Sequence, residues 1–367
     1  MCVEGFESYF GGVHDPRTGN RKVYSLTGIM FMTMVGVMCG MKDFVAIADF
    51  SKLRRSFFEK HLPLPGRTPS HDVFCDVFAI LDPIQFSRCF EDWTSSLREV
   101  ISGDYIAFDG KSVRSCLEKK KGGIPLHLMN VWSDANGICL AQMRCDNKSN
   151  EVVALESLLK YISVGSCVVS ADAMHCHKKT TQIVREAGAD YVLGLKKNEK
   201  KLYEHCEKSF DDPTAKLIRH QVEEKGHGRK ELRVVDLFKI GDPDSTQLRG
   251  WQDIKAFARV TSTVERNSQV QTEVRYYIAS LTDERRVYKA IRYHWGIENK
   301  LHWVLDESFR EDRSRVRYNN AGENLATMRK IVLNLLSKIK IPQFGYSRMM
   351  LRASHDDQYL AELLQTF

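Results

Sequence analysis

Between Tyr105 and Leu195 the sequence alternates short β-type runs with helical stretches in the order β-β-β-α-β-α-β. This order constrains the fold more than any other feature of the chain. Tyr105–Phe108 is a brief apolar run that reaches Asp109-Gly110, which reads as a strand entering a turn. LHLMNVWSD and GICLAQMRC follow, separated by Ala135-Asn136-Gly137, and Asn-Gly between two apolar runs signals a hairpin. Asn150-Glu151 opens a helix to about Tyr161, Ser166–Asp172 reads as a buried strand, His175–Ala187 as a helix and Tyr191–Leu195 as another strand. Helices crossing between buried strands require a sheet covered by helices, so the fold class is α/β.

The flanks differ. Leu26–Met41 has no charged residue, but at 16 residues it is shorter than the ~20 a spanning helix needs, so it reads as a core helix capped by Ser25. Phe44–Lys60, Ser70–Leu81 and Pro83–Trp93 also have helical patterns, with a Pro-rich connector at 61–70. A β-rich insertion is expected over about 205–285. Val287–Asp306 and Ala321–Lys338 read as helices, and Pro342 marks an irregular tail. The expected division is a small helical domain over 1–100 and an α/β domain over 101–367.

Composition excludes a disordered or collagen-like chain: 43% of residues are hydrophobic and 28% charged. The net charge of +7 is modest, but its placement is uneven. Residues 1–100 hold 11 basic and 12 acidic side chains, so the whole excess lies beyond them. Ten cysteines are scattered singly without a CxxC pair, which favours reduced thiols in a cytoplasmic protein. No leader-like segment is read at the N-terminus.

Three carboxylates stand out. Asp109 and Asp172 are placed at the ends of strands, and Glu298 lies in a helix, within HWGIEN. Acids at the ends of neighbouring strands would share the crevice where open sheets place ligands. Hard oxygen donors there suit Mg²⁺ or Mn²⁺, and two such ions could drive in-line phosphoryl transfer. Taken alone, the same residues also fit a turn acid, a helix cap and a solvated helix face.

The sequence context adds to these. IAFDGKSVRS, KSNE, ADAMHCHK, YVLGLKKNEKKL, HGRKELR and HWGIENKLHWVLDESFREDRSRVR occur in that order. With them, the chain from about residue 8 to 360 resembles the DDE transposases of bacterial insertion sequences, in the group of H-repeat-associated proteins found with Rhs elements. The resemblance implies an RNase H-like catalytic domain, an Asp109-Asp172-Glu298 triad, and Mg²⁺ or Mn²⁺, as two ions. In the wider superfamily a Tyr, an Arg and a Lys flank the glutamate, where this chain has Ile291, His294 and Leu305. The subgroup's own pattern of His294, Trp295, Asn299, His302 and Trp303 is kept. Asp306 and Asp312 are second-choice carboxylates.

The expected DNA contacts are Lys111, Arg114, Lys148, Lys196, Lys197, Asn198, Arg229, Arg233, His294, Asn299, Arg313, Arg315 and Arg317, with the run Lys119–Lys121 as further support. Both Trp295 and Trp303 are expected in the core. His175, Cys176 and His177 are not expected to form a zinc site. The implied partner is double-stranded DNA, at element ends and target, bound by a homodimer or larger assembly without a membrane. Two alternatives are kept: a repurposed metal-dependent nuclease, and a catalytically silent DNA-binding descendant.

Overall fold

The computed structural model describes every residue except 1, 20–21, 100, 119–122, 146–150, 227–228, 242–245, 247, 267–268, 340, 342 and 366, together with all but the side chains of 2, 118 and 229. Lys119–Lys121, Lys148 and the side chain of Arg229 therefore lie outside the described residues.

The first part of the chain is helical: α1 (Cys2–Phe10), α2 (Leu26–Met38), α3 (Phe44–Leu53), α4 (Arg55–Glu59), α5 (His71–Ile80) and α6 (Pro83–Leu97). The Ser25 hydroxyl accepts from the Gly28 amide at 3.0 Å and starts α2, which is buried along its length. No helix among the described residues is long and apolar enough to cross a membrane. The single helix expected over 44–60 breaks at Arg54 into α3 and α4.

The sheet strands are β1 (Tyr105–Glu118), β2 (Ile124–Ser133), β3 (Ile138–Cys145), β4 (Val168–Ala171), β5 (Asp190–Leu195), β6 (Leu217–Gly226), β7 (Arg229–Lys239), β8 (Ala256–Arg266) and β9 (Gln269–Ala279). They form one sheet in the order β3-β2-β1-β4-β5-β9-β8-β7-β6. Helices α7 (Glu151–Tyr161), α8 (Lys178–Glu186) and α9 (Lys200–Asp211) lie between strands in sequence. The β-rich segment extends the central sheet, with β9 pairing antiparallel with β5. It is also preceded by α9, an amphipathic helix over part of the expected insertion, which buries Leu202, Cys206 and Phe210.

Three further differences concern the site. The expected turn at Asp109-Gly110 is absent, because β1 continues to Glu118 and pairs with β2 from Ile106 onward. The helix after Asp172 starts later than expected, since a short 3₁₀ turn (Ala173–His175) precedes α8. The helix carrying Glu298 is α10 (Glu284–Gly296), a π-helical turn (Ile297–His302) and α11 (Trp303–Glu307), not one regular helix.

Beyond it, α12 (Ala321–Lys338) runs through the interior. Asn324 Nδ2 donates to the carbonyls of Phe78 (2.8 Å) and Leu81 (3.0 Å) in and after α5. Asn334 exchanges two hydrogen bonds with the Cys139 backbone on edge strand β3, which protects that edge. The tail after Pro342 is not irregular, for it forms α13 (Tyr346–His355) and α14 (Asp357–Leu364). Tyr359, Leu360 and Leu363 join the same core as α2, and the Phe367 ring stacks on Trp93 with centroids 5.0 Å apart. The first hundred residues and the last seventy therefore share one apolar interior.

Candidate active site

Strand alternation sets which acids can meet. Strands β1 and β4 are parallel, with Phe108 opposite Ala171 as their last pair, so Asp109 and Asp172 come next on each. Strand β4 ends there, while β1 runs on. Val168 packs with Val287, Ala290 and Ile291 of α10, and Tyr105 packs its ring on Tyr293 at 5.0 Å. Successive side chains alternate faces, so Asp109 and Asp172 share the face covered by α10, the helix that leads into Glu298. Gly194 on β5 permits this crowding, since a Cβ there would lie 2.9 Å from the Ala173 nitrogen.

Asp172 and Glu298 are exposed, whereas the Asp109 side chain is only 20% exposed. Burial pushes the Asp109 carboxyl up to about 8, and the negative charges of Asp172 and Glu298 push the same way. Asp172 and Glu298, the other two acids named from the sequence, are thus within electrostatic reach of Asp109. Among the described residues no three His, Cys, Asp or Glu groups are gathered at metal-binding distance.

His302 lies beside Asp109. Its Nδ1 stands 3.4 Å from Asp109 Oδ2, and its Nε2 lies 3.3 Å from Asn130 Nδ2. That amide nitrogen also donates to the Leu128 carbonyl at 3.2 Å, so it is the donor and Nε2 the acceptor. The ring proton is then on Nδ1, facing the carboxylate. Burial, reinforced by Lys111 and Lys330, brings the imidazole down to about 3 and keeps it neutral. His294 is likewise neutral, pushed down to about 4 by burial, with Nδ1 3.3 Å from the Ser170 hydroxyl beneath Asp172.

A second polar group ties the two strands together and was not anticipated as part of the site. Glu151, the first residue of α7, is 3% exposed. His127 Nε2 contacts its Oε1 at 2.5 Å, and His175 Nε2 lies 3.2 Å from its Oε2. Burial would raise the Glu151 carboxyl, but the bonds to His127 and His175 outweigh it and bring it to about 2. Ser112 Oγ meets His127 Nδ1 at 2.8 Å. One carboxylate thus joins β1, through β2, to the turn that follows Asp172. Gly110 leaves room for it, because a Cβ there would lie 2.6 Å from Glu151 Oε1. Gly110→Ala is expected to lower stability by about 1–3 kcal/mol, measured by thermal unfolding. An unchanged melting temperature would mean that the carboxylate yields freely. The sequence signals were a glycine inside a strand and a histidine in an apolar run.

The other named residues fall into two groups. Lys196, Lys197, Asn299, Arg313 and Arg315 are exposed, as is Asn198, whose Nδ2 donates to the Ala173 carbonyl at 2.9 Å and fixes the turn after Asp172. Arg317 is half-buried, and Arg114 is exposed while its Nε contacts Asp312 at 3.2 Å. Lys111 and Arg233, in contrast, are buried and neutralised within the fold. Lys111 Nζ contacts Asp306 at 2.7 Å and Asp312 at 3.1 Å. Burial would lower it, but Glu311 and these two acids hold its ammonium above its usual value. Asp306 and Asp312 are thereby committed to Lys111. Arg233 pairs with Glu224 at 2.8 Å and Glu231 at 2.5 Å.

Trp295 is half-buried beneath the Arg275 guanidinium, 4.6 Å from its ring centre, but Trp303 is 61% exposed, contrary to the expected core position. A stripe of Ile297, Leu301, Val304 and Leu305 takes the core instead. His175 and His177 face different carboxylates, Glu151 and Glu199, each at 3.2 Å.

Residues 102–335 match the family described as Transposase DDE domain, and residues 7–94 match the family described as DDE_Tnp_1-associated. YncI of Escherichia coli O157:H7, named as a transposase, is 30% identical over 99% of this chain and 95% of its own length. YhhI of E. coli K12, named as an H repeat-associated transposase, is 30% identical over 93% of this chain and 92% of its own. Among solved structures, the piggyBac transposase synaptic complex with hairpin DNA aligns over 98% of this chain and 76% of that one, at 9% identity and a TM-score of 0.43. The family match spans the whole segment from β1 into α12 and contains all three acids, and with these near-full-length relatives it shows that the chain belongs to the DDE transposase family.

Proposed function

We propose that this transposase cuts and joins DNA by phosphoryl transfer, with Asp109, Asp172 and Glu298 as its triad in an RNase H-like catalytic unit over 101–367. The helical unit over 1–100 precedes it. The observation that carries the reading is the electrostatic state of Asp109. It is mostly buried beside two like charges, with its carboxyl pushed up to about 8. Such a cluster is costly without a countercharge, and its all-oxygen donor set fits a hard divalent cation. Asp109, Asp172 and Glu298 would hold Mg²⁺ or Mn²⁺, as two ions. Such ions, when bound, activate an attacking water or 3′-hydroxyl and stabilise the leaving oxygen.

The chain's own residues do the rest. His302, held by Asn130, keeps Asp109 turned into the crevice. Asn198 and the Glu151–His175 contact hold the turn that carries Asp172. Lys196 and Lys197 at the end of β5, and Arg313, Arg315 and Arg317 beyond α11, supply positive charge for phosphates. Arg114, Asn299, Lys148 and Arg229 remain candidate contacts, whereas Lys111 and Arg233 have their charge satisfied internally. His294 serves by packing the glutamate helix on β4. The DNA partners are the element ends and the target duplex, engaged by a homodimer or larger assembly in the cytoplasm, at the nucleoid.

The test is incubation of the purified chain with Mg²⁺ and DNA bearing the terminal repeats that flank its gene, reading cleavage and joining separately. Both are expected. Cleavage without joining would make the protein a nuclease, and Mg²⁺-independent binding without cleavage would make it a silent DNA-binding protein.

A further inference from the structure

Two cavities open side by side between the N-terminal helices and the segment 310–320. The larger, about 1460 Å³, is lined by Arg310, Arg313, Arg315 and Arg317. No ion pair to these four arginines is found among the described residues, and Arg317 Nε is buried without a hydrogen-bond partner. The nearby acid in the lining, Asp43, is engaged in capping α3, where Oδ1 accepts from the Ala46 amide at 2.9 Å. The smaller cavity, about 980 Å³, is mixed in character: Val23, Val73 and Val77 line it beside Thr68, Ser70 and exposed Arg67 and Asp76. Ile80 and Tyr318 line both cavities, which are therefore continuous, and Tyr318 stands at the junction with 55% of its surface exposed.

We propose that this groove binds single-stranded DNA, with phosphates on the four arginines and a base stacked on Tyr318 at the mouth of the smaller cavity. This rests on the reading of the chain as a DNA-cutting transposase, and it gives the N-terminal helices a part in holding DNA. Unpaired guanidinium groups over eight successive positions suit a string of phosphates. An exposed aromatic ring beside them is the other half of a strand-binding groove, since every base offers a face to stack on. A duplex keeps its base faces stacked inside and presents only edges. The valines beyond Tyr318 can accept a base face.

The experiment measures binding of the full chain, in EDTA, to a fluorescein-labelled oligothymidylate and to a labelled duplex of equal length, by anisotropy across a salt series. Tyr318→Ala is expected to weaken strand binding roughly ten-fold or more and to leave duplex binding within about two-fold. Arg315→Gln should reduce the salt slope for the strand by about 0.7, the value for one phosphate contact. Both side chains are exposed, so melting temperatures should match the wild type and serve as the folding control. The proposal is overturned if the wild type does not bind the strand, or if Tyr318→Ala changes neither binding or both equally. EDTA separates this from the active-site reading. Strand binding that depends on Tyr318 in a chain that never cuts DNA would sink the triad and keep the groove, and the reverse result would do the opposite.

Discussion

Asp109→Asn is expected to raise the melting temperature of the ion-free chain by a few degrees while abolishing strand cleavage. The folded protein binds the Asp109 proton more tightly than the unfolded chain does, because burial and the charges of Asp172 and Glu298 push the carboxyl from 3.8 to about 8. Between those values the folded state carries more protons than the unfolded state. Stability therefore falls as pH rises from 3.8 to about 8 and levels off above it, by linkage. At neutral pH the site costs on the order of a few kcal/mol. An uncharged amide of the same shape removes the cost, as happens where a strained functional site is silenced. Thermal unfolding of wild type and variant at pH 5 and pH 9 checks this. The gap should widen at the higher pH, and an equal gap at both would contradict the assignment of the strain to Asp109.

Glu311→Gln should be among the most damaging single changes outside the apolar core. Glu311 has 0% exposure and stands among three buried cations. Lys111 is 3.8 Å from it and Arg329 3.9 Å, and its charge also acts on fully buried Lys330. Burial lowers both Arg329 and Lys330, and Glu311 is the largest influence opposing that. Removing this buried carboxylate leaves these cations without it, a loss of about 3–5 kcal/mol by analogy with broken buried pairs. Denaturant unfolding would show a lower midpoint with an unchanged slope. A shift below about 1 kcal/mol would mean that Asp306 and Asp312 suffice for all three cations.

These networks explain what the sequence could and could not reveal. Periodicity showed the strand-helix order from β1 to β5, the buried character of α2, and α12, because each buries a continuous apolar face. It misread Asp109-Gly110 as a turn. Gly110 is there to admit the Glu151 carboxylate, not to bend the chain, and the strand is held by its long pairing with β2. The π-helical turn at Ile297–His302 left no trace in periodicity, since Ile297, Leu301 and Val304 also fit a regular helix. The tail was read as irregular because Pro342 hid two short helices whose apolar residues pack far away in sequence, on α2 and α6. Lys111 looked like a surface cation because its partner Asp306 lies 195 positions away, whereas Arg233 pairs with Glu224 across a strand pair and with Glu231 two residues before it. Charge alone could not tell a phosphate contact from an internal ion pair.

The central claim is that Asp109, Asp172 and Glu298 act as one cation site, and the most direct measurement is thermal unfolding with and without Mg²⁺ for the wild type and for Asp109→Asn, Asp172→Asn and Glu298→Gln. The ion should raise the wild-type melting temperature, because binding to the folded state alone stabilises it. Each of the three substitutions should remove most of that rise, whatever it does to the ion-free protein. A Mg²⁺-dependent rise that survives in all three variants would contradict the assignment.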